Sequence, residues 1–145
     1  MSVFTRSKKI GSMRNFILIL MLALPFASFS QNWADDSSLD KIINSKDAFG
    51  DDESSIIVVE FWAKFNEANA FPNWDKLNGV QYYRVDIAKA PKAKKEYRIR
   101  MAPTIIIFKD GINEESFKAG LDLECPVSLD ELQEAIEEVK TAGAF

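Results

Sequence analysis

The stretch Ile56-Ile57-Val58-Val59-Glu60-Phe61-Trp62 consists of β-branched and aromatic residues with a single glutamate among them. A run that is apolar at nearly every position, rather than at alternate ones, is typical of a central strand that helices cover on both faces. Thr104-Ile105-Ile106-Ile107-Phe108 is a second run of this kind. The two runs therefore predict an α/β domain with helices on both faces of its sheet.

The segments around these strands predict the remaining elements. Lys109-Asp110-Gly111-Ile112 indicates a hairpin turn, and Ser128-Leu129-Asp130-Glu131 is a capping box that begins the last helix. The other predicted helices cover residues 39–49, about 66 to 78 and 92–97, and the other predicted strands cover 80–87 and 115–119. Because Pro72 lies inside the second helix, a kink is expected near residues 68–71. The predicted order is α-β-α-β-α-β-β-α, in a mixed sheet because the hairpin adds antiparallel strands.

The first 30 residues are typical of a signal peptide. A basic stretch without acidic residues precedes an apolar run from Phe16 to Ala27, and small residues favour cleavage after Ser30. The apolar run is short for a membrane span, although an uncleaved anchor stays open, and either Met1 or Met13 could be the start. We therefore expect residues 31–145 to form an exported, periplasmic domain, with membrane contact only through an uncleaved signal segment.

Charge and composition exclude several function classes. Removing residues 1–30 takes away four basic residues and no acidic one, leaving 14 Lys and Arg against 22 Asp and Glu, a net charge of −8. This balance argues against nucleic-acid binding, and the lysine cluster at 89–95 is interpreted as a solvated helix face. One cysteine and no histidine exclude an intramolecular disulfide, a histidine triad and a Cys/His zinc site. We expect no metal and no cofactor.

An ordered set of short motifs spans roughly residues 37–140. Its segments are Val59-Glu60-Phe61-Trp62-Ala63, Val85-Asp86, Tyr97-Arg98-Ile99, Met101-Ala102-Pro103-Thr104, Ile106-Ile107-Phe108-Lys109-Asp110-Gly111 and Ala119-Gly120. This ordered set resembles the thioredoxin family. The resemblance implies a thioredoxin-like three-layer sandwich with a mixed central sheet. Asn66-Glu67-Ala68-Asn69 stands where thioredoxins carry a Cys-x-x-Cys pair. Because an asparagine amide cannot become a thiolate, dithiol redox chemistry is excluded.

The resemblance also implies a binding site. It implies a cis peptide bond before Pro103 and a bound extended peptide that pairs with the backbone of Ala102. Phe65, Met101 and the Gly120-Leu121 turn would form an apolar patch around Pro103 that grips a partner protein. A rim packed against other side chains of the chain itself is the alternative interpretation.

Three polar residues complete the predicted site. Asn66 is interpreted as a helix N-cap, and the helix amino end beside Asn66 and Asn69 could dock an anion or a peptide carbonyl. Glu60 takes the place of the family's buried acid and is interpreted as a structural contact. Its pKa would be raised if it were buried without a partner.

The sequence leaves two functions open, beside a degenerate domain whose only role is structural. The first is a non-catalytic module that binds a protein or an extended peptide segment, or serves an assembly. The second is a thiol-disulfide oxidoreductase or isomerase that works through Cys125. Asp122 and Glu124 lie close to Cys125 and no histidine is available to lower its pKa. These neighbours favour the first function. A mixed disulfide between Cys125 and a partner protein stays open as the alternative.

Overall fold

The computed structural model describes residues 31–45 and 55–142. The predicted signal peptide, and the part of the first predicted helix beyond residue 45, lie outside the described residues. The strands are β1 (Trp33–Ala34), β2 (Ile56–Trp62), β3 (Gln81–Asp86), β4 (Thr104–Lys109) and β5 (Ile112–Lys118). The α-helices are α1 (Leu39–Ile43), α2 (Pro91–Glu96) and α3 (Leu129–Thr141), and two 3-10 helices span Lys64–Asn69 and Trp74–Lys76.

The five strands form one sheet in the order β1-β3-β2-β4-β5. β3 is parallel to both β1 and β2, whereas β4 is antiparallel to β2 and to β5. The predicted mixed sheet is therefore confirmed. β2 and β4 are buried along almost their whole length, which explains why their sequences are apolar at successive positions.

Side chains of β2 alternate between two separate cores. Ile57, Val59 and Phe61 belong to a cluster that includes residues of α1 and α2. Ile56 and Val58 belong to a second cluster that includes residues of α3. Since successive strand residues point to opposite faces of a sheet, the sheet is covered on both sides by helices. This arrangement is the predicted three-layer sandwich.

The ends of several elements follow local rules that the sequence shows. Asp110 and Gly111 have φ values of 51° and 82°, as a two-residue type I′ turn requires. Because this turn is so tight, β5 begins at Ile112 rather than at the predicted residue 115. Ser128 and Glu131 form the predicted capping box at the start of α3, and the backbone N–H of Ser128 lowers the pKa of Glu131.

The predicted helix over residues 66–78 is wrong. Two short 3-10 helices take its place, because the N–H of Phe71 donates to the Glu60 carboxylate at 3.2 Å instead of to a carbonyl one turn earlier. α1 ends at Ile43 rather than at residue 49. β1 was not predicted, since two residues are too few to show a periodic pattern. None of the described helices is long and apolar enough to span a bilayer.

Candidate functional site

The predicted site residues come from three segments that lie far apart in the chain. These are the 3-10 helix Lys64–Asn69, the loop that precedes β4, and the linker between β5 and α3. In the first segment Phe65 is 78% exposed. Asn66 follows with φ −122° and ψ 25°, which are not helical values. The helical geometry is thus interrupted at the residue that makes the long-range contacts of the site.

The side-chain amide of Asn66 joins the three segments. Its Nδ2 donates to the carbonyl oxygens of Ala102 and Leu123, at 2.8 Å in each case. Its Oδ1 accepts a hydrogen bond of 2.8 Å from Nδ2 of Asn69. Both N–H groups and the carbonyl of this amide are therefore used. The predicted N-cap role is wrong, because the N-cap position is Ala63 and no side chain caps this segment.

The loop before β4 has backbone carbonyls that accept hydrogen bonds from other groups of the chain. The Ala102–Pro103 peptide bond is cis, as predicted, and both residues are buried. The Ala102 carbonyl already accepts a hydrogen bond from Asn66, so one of its two lone pairs stays free for an extended peptide. Met101 is half-buried, and its carbonyl accepts a 2.6 Å hydrogen bond from the Thr104 hydroxyl.

The linker between β5 and α3 forms a turn at the same place. The N–H of Leu123 donates to the Gly120 carbonyl at 3.0 Å, and Leu123 has a φ of 59°. This left-handed conformation costs about 1–2 kcal/mol for a non-glycine residue, and the hydrogen bond from Asn66 helps to offset that cost. Leu121 is 96% exposed. Phe65 and Leu121 therefore lie on the two segments that the Asn66–Leu123 hydrogen bond joins.

Glu60 forms a second polar network inside the domain. Its Oε1 accepts hydrogen bonds from the Tyr82 hydroxyl at 2.6 Å, the Phe71 N–H at 3.2 Å and the Arg84 guanidinium at 3.2 Å. The guanidinium also donates to the Phe71 carbonyl at 3.3 Å. Complete burial raises the pKa of Glu60, and the bond from Tyr82 and the charge of Arg84 oppose that rise only in part.

Sequence reasoning missed the partners of Glu60, although a signal was available. A carboxylate in an otherwise apolar strand requires hydrogen-bond donors or an opposite charge nearby. Glu60 and Arg84 are direct partners in the register between β2 and β3. Arg84 is the one basic residue within Gln81–Asp86. The predicted parallel pairing of the two strands would have indicated Arg84 as the partner of Glu60.

Cys125 lies on the same side of the sheet as this network. It is half-buried among apolar residues of the α3 side of the sheet. Its Sγ donates to the Val127 carbonyl at 3.4 Å. Burial and the Glu60 carboxylate raise the pKa of the Cys125 thiol above its ordinary value. Among residues 31–45 and 55–142, no group of three His, Cys, Asp or Glu side chains is placed to hold a metal ion.

We expect Cys125 to react slowly in the folded protein. At neutral pH, its labelling rate with a thiol reagent should be roughly tenfold lower than in the denatured chain, because the thiolate is the reactive form and burial disfavours it. The rate should keep rising above pH 9.0, the ordinary pKa of the group. Equal rates in the folded and denatured chains, or dithiothreitol-coupled reduction of insulin, would contradict this expectation.

Comparison with known proteins agrees with the architecture. Residues 37–137 match the family model described as Thioredoxin. Thioredoxin-2 of Pyricularia oryzae is 39% identical over 44 residues, which are 30% of this chain and only 22% of that protein.

Solved structures of low sequence identity share the fold. A mutant thioredoxin from Halobacterium salinarum has a TM-score of 0.57 at 15% identity, covering 77% of this chain and 91% of its own. Chlamydomonas reinhardtii thioredoxin f2 has a TM-score of 0.56 at 11% identity, covering 77% and 97%. A designed protein reaches 0.58 at 21% identity, covering 76% and 97%.

The fold and the family match together define a thioredoxin-fold protein with one cysteine. The chain belongs to the thioredoxin family, and it is a member without the Cys-x-x-Cys pair. Asn66 and Asn69 occupy the two positions and are hydrogen-bonded to each other.

Proposed function

We propose that this protein is an exported binding module that holds another protein or an extended segment and carries no dithiol redox activity. The observation that carries the proposal is the Asn66 network. Where the family has two thiols, the amides of Asn66 and Asn69 bond to each other and to two backbone carbonyls. Such a site is organised and closed, but it offers no nucleophile.

The contact with the partner would be made through side chains. The Ala102 carbonyl already accepts a hydrogen bond from Asn66, so a strand of the partner could pair with this carbonyl only through the second lone pair of its oxygen. Phe65 and Leu121 are instead exposed, and they lie on the two segments that the Asn66–Leu123 hydrogen bond joins. Burying such side chains under a partner releases hydrophobic free energy, at about 25 cal/mol per Å². We name Phe65 and Leu121 the apolar pair.

Export is the part of the proposal that rests on the sequence alone. Its support is the basic and then apolar pattern of residues 1–30, followed by small residues before Gln31. The alternative function, an oxidoreductase or isomerase that works through Cys125, has weaker support. A reactive thiol needs exposure and a positive neighbourhood, whereas Cys125 is half-buried and the Glu60 charge raises its pKa.

Removing the apolar pair should strongly reduce partner capture. The test is affinity capture from the native envelope fraction. The amount of partner captured by the double variant Phe65→Ala/Leu121→Ala should be at least about tenfold lower than the amount captured by the unchanged protein, because truncation of a central apolar contact typically costs over 1–2 kcal/mol. Ile112→Ala is the matched control, since Ile112 is also exposed but lies in the β4–β5 hairpin. Equal capture by the double variant would place the binding face elsewhere.

A further inference from the structure

A second surface feature, separate from the apolar pair, lies at the end of α2. An open pocket of about 660 Å³ is lined there by four basic side chains over apolar residues. The basic residues are Lys94, Lys95, Arg98 and Arg100, and the apolar ones include Ile87, Pro91 and Ile99. The described lining contains no acidic residue. This concentration of positive charge stands out in a chain whose net charge is −4. We name it the basic pocket.

Among the residues that the structure describes, these four charges have no ion-pair partner. The neighbouring Lys92, in contrast, pairs with Asp40. All four are exposed. Like charges that line one pocket repel each other, at a cost that falls when an anion binds between them. An anionic ligand would therefore stabilise an arrangement that the described fold leaves uncompensated.

The end of α2 does not itself require these charges. The N–H of Arg98 donates to the Lys95 carbonyl at 3.2 Å, and the N–H of Ile99 donates to the Lys94 carbonyl at 2.9 Å. This pair of bonds is a Schellman motif, which satisfies the last carbonyls of the helix. Cations near a helix C-terminus are favourable, which accounts for Lys94 and Lys95. It does not account for Arg98 and Arg100, which lie beyond the helix.

Arg98 occupies a position that favours glycine. It is the first residue after the C-cap in the Schellman motif, and its φ is 53°. Glycine is the usual residue there, because the left-handed conformation is unfavourable for residues with a Cβ. The chain therefore keeps a guanidinium at this point against the local conformational preference. Such departures cluster at functional sites, and this one lies on the lining of the basic pocket.

We propose that the basic pocket binds a small polyanion that carries two or more negative charges on neighbouring phosphate groups. The size of the pocket is that of small-molecule sites, which span about 300–1,000 Å³. Arginine forks match phosphate oxygens in a bidentate manner. On the same lining, Pro91 is exposed and Ile87 is partly exposed, so they offer an apolar surface for the remainder of the ligand. The lysine cluster that the sequence suggested to be merely solvated would then belong in part to a binding site.

Titration of the purified protein with inorganic pyrophosphate tests the proposal. We expect calorimetry to give a Kd below about 1 mM, and NMR shifts at the backbone amides of residues 87–100. Binding should weaken as NaCl rises from about 0.05 M to about 0.3 M, since salt screens exposed charges. Citrate and a hexaglutamate peptide serve as comparison ligands. Equal or tighter binding of either one would overturn the phosphate assignment, and no detectable pyrophosphate binding would overturn the site.

Variants separate binding from folding. Arg98→Gly should lose at least about tenfold in pyrophosphate affinity, because charged hydrogen bonds are lost, while its melting temperature should stay equal or rise, because glycine suits the left-handed conformation. Arg100→Gln should also weaken binding. Lys76→Gln is the control, since Lys76 is exposed in another segment. Unchanged affinity in both arginine variants, or the same loss in the control, would contradict the assignment.

Discussion

Replacing Glu60 with alanine is expected to lower the free energy of unfolding by about 3–5 kcal/mol, the range seen when one partner of a buried ion pair is removed. Glu60 is completely buried, and its Oε1 accepts from Tyr82, Phe71 and Arg84. Without it, two buried donors and a largely buried guanidinium lose their acceptor, and the site of the side chain becomes a cavity. Urea denaturation followed by circular dichroism measures the change.

Tyr82→Phe is the matched control for this variant. It removes one hydroxyl donor but keeps the aromatic ring that packs near Phe71 and Trp74. We expect a loss of only about 0.5–1.5 kcal/mol, as for a single hydrogen bond. If Glu60→Ala cost no more than Tyr82→Phe, the network would not organise this side of the domain.

The pH dependence gives an independent check on Glu60. Its ordinary pKa is 4.5 and its folded pKa is raised, so between these two values the folded chain holds a proton that the unfolded chain has released. Stability contributed by this group is therefore complete below pH 4.5 and falls as pH rises through that window. Glu60→Gln does not titrate, and its stability should lack this fall. A wild-type stability that rises relative to Glu60→Gln in the window would contradict the raised pKa.

The central strands could be predicted because burial on both faces leaves a signal at every position. β2 and β4 are apolar almost throughout, and their short length and β-branched residues distinguish them from a buried helix segment. The hairpin turn at Asp110-Gly111 and the capping box at Ser128 were predictable for a different reason. Their geometry depends on residues next to each other in the sequence.

The segment after β2 was mispredicted because its backbone is bonded across the fold. Phe71, Trp74 and Leu77 have the spacing of a helix face. In the structure the Phe71 N–H donates to Glu60 and the Phe71 carbonyl accepts from Arg84. A continuous helix would need those groups for its own ladder. Tertiary contacts thus override the local preference, and a periodic pattern alone does not reveal them.

The Asn66 network was out of reach of sequence reasoning for the same physical reason. Asn66 is 36 residues from Ala102 and 57 residues from Leu123. Its partners are backbone carbonyls, which every residue carries, so no residue type marks them. The resemblance to thioredoxins located Asn66 and Ala102 at one site. It also placed the Gly120-Leu121 turn there, but it did not indicate which backbone carbonyl of the following linker would bond to Asn66.

Replacing Asn66 with alanine is expected to cost roughly 2–4 kcal/mol of unfolding free energy, since each buried polar group left without a partner costs about 1–3 kcal/mol. The lost hydrogen bond to the Ala102 carbonyl contributes most of this cost, because Ala102 is only 2% exposed. Leu123 would also lose the contact that helps to hold its left-handed backbone. We therefore expect the linker between β5 and α3 to loosen, with faster hydrogen exchange at residues 121–127 and faster labelling of Cys125.

Two further variants show whether the donors of Asn66 matter, rather than its size. Asn66→Asp keeps the shape but directs an acceptor at two carbonyl oxygens, so it should destabilise the domain at least as much as alanine does at neutral pH. Asn69→Ala removes only the bond to Asn66 Oδ1 and should cost about 0.5–1.5 kcal/mol. If Asn66→Asp were as stable as the unchanged protein, the amide would not be the group that joins the three segments. The geometry of Asn66 therefore requires Asn66→Asp to destabilise the domain at least as much as Asn66→Ala. Both of these variants should destabilise it more than Asn69→Ala does.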